Sequence, residues 1–268
     1  MKFKNVLLVS DFDDTLVNRQ KTLPERTQKA LRYFTENGGY FTLASGRIVD
    51  AMRPQLKGLP INAPVICGNG TQIYDFSKEK MIATSTLPET AKADFQAVLD
   101  AFPTSAVEII VNGQTYYIRP NALTWWHLDL LGLHGIEATL DTVPQGWGCA
   151  KFEEETPVLR EMQNFIRANF PGRYEDFFSH KNLLEVANRG DNKGGGVLKL
   201  AEILGVDRKD IYCAGDNEND VSMLKVAHIG FCPTNATPVT MKAADKVVCD
   251  CDEGTVADII EYLDKLYS

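Results

Sequence analysis

Nowhere in this chain do two cysteines stand as C-x-x-C, and no histidine lies beside the Cys249–Cys251 pair. The other four thiols, Cys67, Cys149, Cys213 and Cys232, are scattered. A structural zinc site is thereby disfavoured, and the pattern suits reduced core thiols in a cytoplasmic protein. Long apolar runs are also missing. The run after Lys2 and Lys4 stops at Asp11, too short for a secretory signal, and no stretch is long enough to span a bilayer. Internal repeats and low-complexity segments are absent. Basic charge is in short supply, with a formal net charge of −8 and a pI near 5.1. That balance argues against nucleic acid as a partner while leaving room for a small anionic ligand held by local charge. Nothing indicates a membrane or an obligate protein partner.

What remains is an ordinary globular composition, 44% hydrophobic and 24% charged over 268 residues, a length that suggests two domains. The most informative stretch is "VLLVSDFDDTLV", Val6 to Val17, where an apolar run leads into Asp11, Asp13 and Asp14. An acidic turn would account for it plainly. A calcium loop counted from Asp11 needs Gly at its sixth place and Glu at its twelfth, but Leu16 and Thr22 stand there. A buried parallel strand is the third reading. Its alternation would point Asp11 and Asp13 to one side at the carboxyl end, where open α/β sheets bind ligands.

The rest of the chain supports that reading. "LPERTQKALRYFTENGG" reads as a helix, "YFTLASGR" as a strand, Val49–Leu56 as a short helix and "APVICGNG" as a third strand. Such β-α-β-α-β alternation marks a doubly wound parallel sheet. From 82 to 183 the pattern changes to adjacent strands between helices, with Asn112-Gly113 as a hairpin turn, which suggests an inserted α+β domain. From 184 parallel-sheet grammar is expected to return. A discontinuous core, 1–81 and 184–268, would thus carry an insertion at 82–183.

Three further landmarks fall where strands give way to helices. Ser45-Gly46-Arg47 can hold a phosphate oxygen or simply cap a helix. It is no nucleophile elbow, since Gly is missing two residues before Ser45. Lys193, in "RGDNKGGG", opposes the dipole of the helix it opens unless an anion lies nearby; otherwise it is a solvated surface lysine. In "GDNENDVSM", Asp216 and Asp220 exceed what one helix cap requires. A doubly wound sheet would gather Asp11, Asp13, Asp216 and Asp220 along one edge, which demands a cation, and all-oxygen ligands favour Mg²⁺.

Together D-F-D-D-T-L, A-S-G-R, the N-G of "CGNGTQI", N-K-G and G-D-N-E-N-D-V-S-M-L resemble the haloacid dehalogenase superfamily. The spacing is similar to its Cof-type phosphatases, with a large class IIB cap between the second and third motifs. Asp13 and Ser45 are joined by little more than one helix, whereas Ser45 and Lys193 lie far enough apart for an independent unit. The resemblance implies a Rossmann-like hydrolase core and hydrolysis of a small phosphate monoester, such as a sugar phosphate, through an aspartyl-phosphate on Asp11. Asp13 would then act as acid and base, and Mg²⁺ would be held by Asp11, the Asp13 carbonyl, Asp216 and Asp220. Thr15, Ser45, Gly46, Arg47, Asn219 and Lys193 would meet the phosphate. One departure stands out, since the family usually has Gly where this chain has Asp14. A phosphomutase, a halide-cleaving relative and a non-catalytic ligand-binding regulator remain as alternatives. Trp125, Trp126 and His127 are possible substrate contacts, but their helical spacing favours a core role, and no residue of the insertion is selected as a site.

Overall fold

The apolar run after Val6 becomes β1 (Leu7–Ser10), buried along its whole length. It is followed by α1 (Glu25–Glu36), β2 (Tyr40–Leu43) and the short α2 (Val49–Met52). Next come three short strands, β3 (Val65–Cys67), β4 (Gln72–Asp75) and β5 (Lys80–Thr84), which form a sheet of their own. The expected third parallel strand is therefore the start of a separate sheet. β3 pairs antiparallel with β4, and a single parallel bridge ties Ile66 to Ala44. The structure is a computed structural model describing residues 1–268, in which the chain forms two compact units. The first comprises Met1–Gly46, Met52–Ala83 and Asn192–Ser268; the second comprises Arg47–Ala51 and Thr84–Asp191.

The second unit runs α3 (Ala91–Ala101), β6 (Ala106–Val111), β7 (Gln114–Ile118), α4 (Ala122–Leu131), β8 (Gly135–Glu137), β9 (Trp147–Glu153), α5 (Thr156–Asn169), β10 (Tyr174–His180) and β11 (Leu183–Asn188). Its sheet has the order β10-β11-β9-β6-β7-β8, antiparallel except for β7 with β8. The β6–β7 hairpin turns at Asn112 and Gly113, both with positive φ, as a two-residue primed turn requires. β11 departs from expectation. The sequence pattern places it in the parallel sheet, yet it pairs with β9 and β10, and the first unit resumes only at Asn192. Its sequence, Leu-Leu-Glu-Val-Ala-Asn, has four apolar residues and is buried at its first five positions, as an inner parallel strand would be, so periodicity could not tell the two sheets apart.

One face of this antiparallel sheet is apolar, with Val107, Ile109, Phe152, Leu184 and Val186 packed into one cluster with Phe95 and Leu99 of α3 and Leu159 and Met162 of α5. The opposite face is different. Glu108, Lys151 and Glu185 are register neighbours there, all buried, and Lys151 Nζ lies 3.1 Å from Glu185 Oε1. His127 of α4 adds its Nδ1 at 3.0 Å from Glu108, and the Thr124 hydroxyl donates to Glu153. Burial pushes the Glu108 carboxyl up to about 7. Burial and the adjacent Glu108 push Glu153 up to about 8, while burial and then Lys151 pull His127 down to about 4. At neutral pH these shifts favour the protonated carboxyl of Glu153 and the neutral imidazole of His127, beside the Lys151–Glu185 ion pair.

The chain then completes the first unit with α6 (Lys193–Leu204), β12 (Ile211–Ala214), α7 (Val221–Val226), β13 (Ile229–Pro233), α8 (Pro238–Ala243), β14 (Lys246–Val248) and α9 (Thr255–Leu266). The resulting sheet, β14-β13-β12-β1-β2, is parallel throughout. Leu7 and Val9 pack with Val197 and Leu200 of α6 and Met223 of α7, while α1 and α9 pack together and against β2 and β13. This is a doubly wound α/β core. Its register positions the site, because Ser10, Leu43 and Ala214 are aligned across β1, β2 and β12. The chain consequently leaves the sheet at Asp11, Ala44 and Gly215 along one edge.

Two outcomes follow from this packing. An ideal Cβ on Gly196 would lie 2.6 Å from Ile66 Cγ2 and 3.2 Å from the Gly70 Cα. Although Ala favours helices by roughly 1 kcal/mol over Gly, Gly196→Ala is expected to lower stability by about 1–3 kcal/mol through overpacking, read by urea unfolding. The second concerns pH. Glu108 and Glu153 keep their protons to higher pH folded than unfolded, so their contribution to stability falls as pH rises from about 4.5 to about 8. Glu153→Gln keeps the shape and an acceptor for Thr124 but removes the titration. It should raise the urea midpoint relative to wild type at pH 8 and change it little at pH 5, and an equal change at both would refute the assignment.

Candidate active site

Asp11 is the first residue beyond β1, and its amide donates to the Ala214 carbonyl at 2.8 Å. Lys193 opens α6, where Asn192 caps the helix by accepting from the Gly195 amide at 2.9 Å. Its Nζ lies 2.6 Å from Asp11 Oδ1 and 2.5 Å from Asp220 Oδ1, and the residue is only 1% exposed. The solvated-lysine reading fails, since no water-facing side chain is buried between two acids. Asp220 turns its other oxygen to the amides of Asp216 and Asn217, each at 2.9 Å. Asp216 accepts from the Thr15 hydroxyl at 2.7 Å. Carboxylate oxygens of Asp11, Asp216 and Asp220 lie within 4.8 Å of one another.

Three acids and one ammonium leave this pocket with excess negative charge. Burial lifts the Asp11 carboxyl well above the usual range; Lys193 pulls against that, and Asp220 and Asp216 add to it. Asp216 is pushed up to about 7 by burial and by Asp220. Burial alone would lower the Lys193 ammonium, but Asp11 and Asp220 outweigh it and hold the group above its ordinary value. Such a set of hard oxygens, short of positive charge, is chemically suited to a divalent cation.

Asp13 and Asp14 lie in the turn that follows, with Lys21 Nζ 3.2 Å from Asp13 and 3.1 Å from Asp14. Asp14 has φ +57° and ψ +13°, the left-handed region. That conformation explains why glycine would be usual there and why Asp, one of the few residues that tolerates it, is accepted. Its side chain is paired with Lys21 and is not one of the three clustered acids. Across the edge, the buried Ser45 donates its amide to the Ile66 carbonyl and accepts the Asn69 amide at its own carbonyl, each at 2.9 Å. Asn219 Nδ2 donates to Asn69 Oδ1 at 2.9 Å.

Comparison with known proteins agrees with this geometry. Residues 8–260 match the family model of the haloacid dehalogenase-like hydrolases. The chain belongs to that family. A pyridoxal phosphate phosphatase of Escherichia coli is 24% identical over 95% of this chain and 97% of its own. An HMP-PP phosphatase of Cronobacter sakazakii is 29% identical over 85% of this chain and 84% of its own. Among solved structures, a sugar phosphatase described as subclass IIB of the superfamily superposes with a TM-score of 0.85 at 21% identity, covering 97% of this chain and 99% of its own. The resemblance drawn from the sequence motifs is thereby borne out.

Of the residues chosen from sequence, Asp11, Asp216, Asp220, Lys193 and Thr15 form one bonded cluster in this hydrolase, and Ser45, Gly46 and Asn219 belong to the same unit. Thr15, expected at the phosphate, instead directs its hydroxyl to Asp216, and Arg47 groups with the second unit. Trp125 and Trp126 are exposed rather than core, because α4 buries Thr124, His127 and Leu128 on its inner face. Asn69, buried beside Ser45 and bonded to Asn219, is not among the residues expected from sequence. Its signal was the G-N-G run, a mark of left-handed backbone.

Removing the cation from this cluster should be costly. Lys193→Met leaves Asp11 and Asp220 buried without a counter-charge, a loss of about 3–5 kcal/mol near pH 7. Acidification protonates the stranded carboxyls, so the loss should shrink towards pH 5. Urea unfolding without divalent ions at both pH values tests this, and a pH-independent loss would assign the effect to packing.

Proposed function

We propose that this hydrolase is a phosphatase that cleaves small phosphate monoesters using Asp11 as nucleophile. The observation that carries the reading is Lys193, buried and bonded to both Asp11 and Asp220 beside Asp216 at the carboxyl edge of a parallel sheet. The relatives named as phosphatases of pyridoxal phosphate and HMP-PP support a small phosphorylated metabolite as substrate. No helix is long and apolar enough to cross a membrane, and all six cysteines are free. Both features support a cytoplasmic enzyme.

In this mechanism a carboxylate oxygen of Asp11 attacks phosphorus, the bond to the leaving oxygen breaks, and Asp13 donates the proton that makes it an alcohol. Water then attacks the aspartyl-phosphate, Asp13 takes its proton, and phosphate departs with Asp11 restored. Lys193 offsets charge on Asp11 and on the phosphoryl oxygens. Ser45 and the Gly46 amide hold the transferred group, and Asn219 assists. Thr15 and the amides of Asp216 and Asn217 orient the carboxylates of Asp216 and Asp220. The carboxylates of Asp11, Asp216 and Asp220, with the Asp13 carbonyl, would hold Mg²⁺, which when bound draws charge from the phosphoryl oxygens.

Phosphate release from a panel of sugar, nucleotide and cofactor phosphates in Mg²⁺ identifies the substrate class. Asp11→Asn is nearly isosteric but is a poor nucleophile. It should reduce turnover below a few per cent of wild type with the fold intact by circular dichroism, and greater residual activity would exclude the covalent route.

A further inference from the structure

The strangest backbone in the first unit is the G-N-G run, where Gly68, Asn69 and Gly70 have φ of +54°, +52° and +102° in succession. Consecutive left-handed residues, one of them not glycine, persist only when surroundings over-determine them, and they cluster at functional sites. Here the surroundings do so. The Asn69 amide is bonded to the Ser45 carbonyl at 2.9 Å, and the missing Cβ of Gly70 would stand 2.1 Å from the Asn192 carbonyl oxygen, immediately before Lys193. The loop is clamped between the Ser45 turn and the start of α6.

What the clamp displays is the Asn69 side chain. It is 0% exposed, and its Oδ1 is occupied by the amide of Asn219. That bond fixes the orientation of the group and leaves Nδ2 as the donor with no hydrogen-bond partner in the protein. An unmade buried hydrogen bond costs roughly 1–3 kcal/mol, so an amide donor without a protein partner here is suited to bonding a ligand oxygen. An ideal Cβ on Gly46 would lie 3.0 Å from that nitrogen, so glycine at 46 lets the Ser45 turn approach the amide closely. Its neighbours along the sheet edge, Ser45, Gly46 and Asn219, are those assigned to the phosphoryl group above.

We infer that Asn69 is a substrate-contacting residue whose Nδ2 donates to an oxygen of the bound phosphoryl group while its Oδ1 holds Asn219 in place. This rests on the proposed phosphatase reading and extends it, giving the phosphoryl group a neutral amide donor from the loop after β3. A neutral donor suits this pocket. It stabilises phosphoryl charge without competing for Asp11, as a further ammonium would.

The test uses the full-length protein in Mg²⁺ with Asn69→Asp and Asn69→Gly, both compatible with left-handed backbone. Inorganic phosphate, added as a competitive inhibitor of ester hydrolysis, is the probe. Asn69→Asp should raise the phosphate inhibition constant at least about tenfold and lower kcat/KM by about a hundredfold. Both losses should shrink relative to wild type as pH falls and the introduced carboxyl becomes a donor. Asn69→Gly should show losses with no such recovery. An unchanged inhibition constant in both folded variants, even with a reduced kcat, overturns the proposal and leaves Asn69 as a support for Asn219. If phosphate fails to compete in the wild type, or Asp11→Asn stays active, the phosphatase reading itself fails and the proposal falls with it.

Discussion

The Lys193 ammonium, held between Asp11 and Asp220, is the interaction on which the first unit's chemistry depends. Three acids in a water-poor pocket repel one another and favour protonation, and burial raises both Asp11 and Asp216. One buried cation does not neutralise them. It does bond to the nearest two and hold them in place, and it leaves a residual demand for positive charge that a hard divalent ion can meet. A lysine at the start of a helix ordinarily opposes the helix dipole. Here the two carboxylates at 2.6 and 2.5 Å more than offset that opposition.

Everything nearby serves to bring this lysine to the sheet edge. The glycines after it let α6 approach closely, with Gly194 against the Ser222 carbonyl and Gly196 against Ile66 and Gly70. A helix containing three successive glycines forgoes intrinsic stability, and the close approach is the physical compensation. The aligned ends of β1, β2 and β12 supply Asp11, Ser45 and Asp216 from three separate stretches of chain. Site geometry is thus a consequence of strand register.

The second unit shows the same physics under different rules. Its sheet buries Glu108, Lys151 and Glu185 in a row, with Glu153 and His127 beside them. No ordinary core would accept such a face. Proton retention by Glu108 and Glu153, proton loss by His127 and the Lys151–Glu185 ion pair make it tolerable, and this face is therefore sensitive to pH.

Residues with both a distinctive type and a local cue were legible from sequence. Asp11, Lys193, Asp216 and Asp220 sit in short motifs next to apolar runs, and Asn112-Gly113 announces its hairpin through backbone chemistry that is local. Family membership followed from those motifs alone. Long-range pairing was not legible. β11 is as buried as a parallel strand, and only its partners β9 and β10 assign it to the antiparallel sheet. Trp125 and Trp126 suit either a core or a surface, and the face of α4 that is buried was set by what it packs against. Asn69 illustrates the division. Its left-handed turn was latent in G-N-G, but its unpartnered amide exists only because Ser45, Asn192 and Asn219 converge on it from distant parts of the chain. Local backbone preference is written in adjacent residues, whereas burial, pairing and the pKa values they create depend on neighbours that only the completed fold supplies.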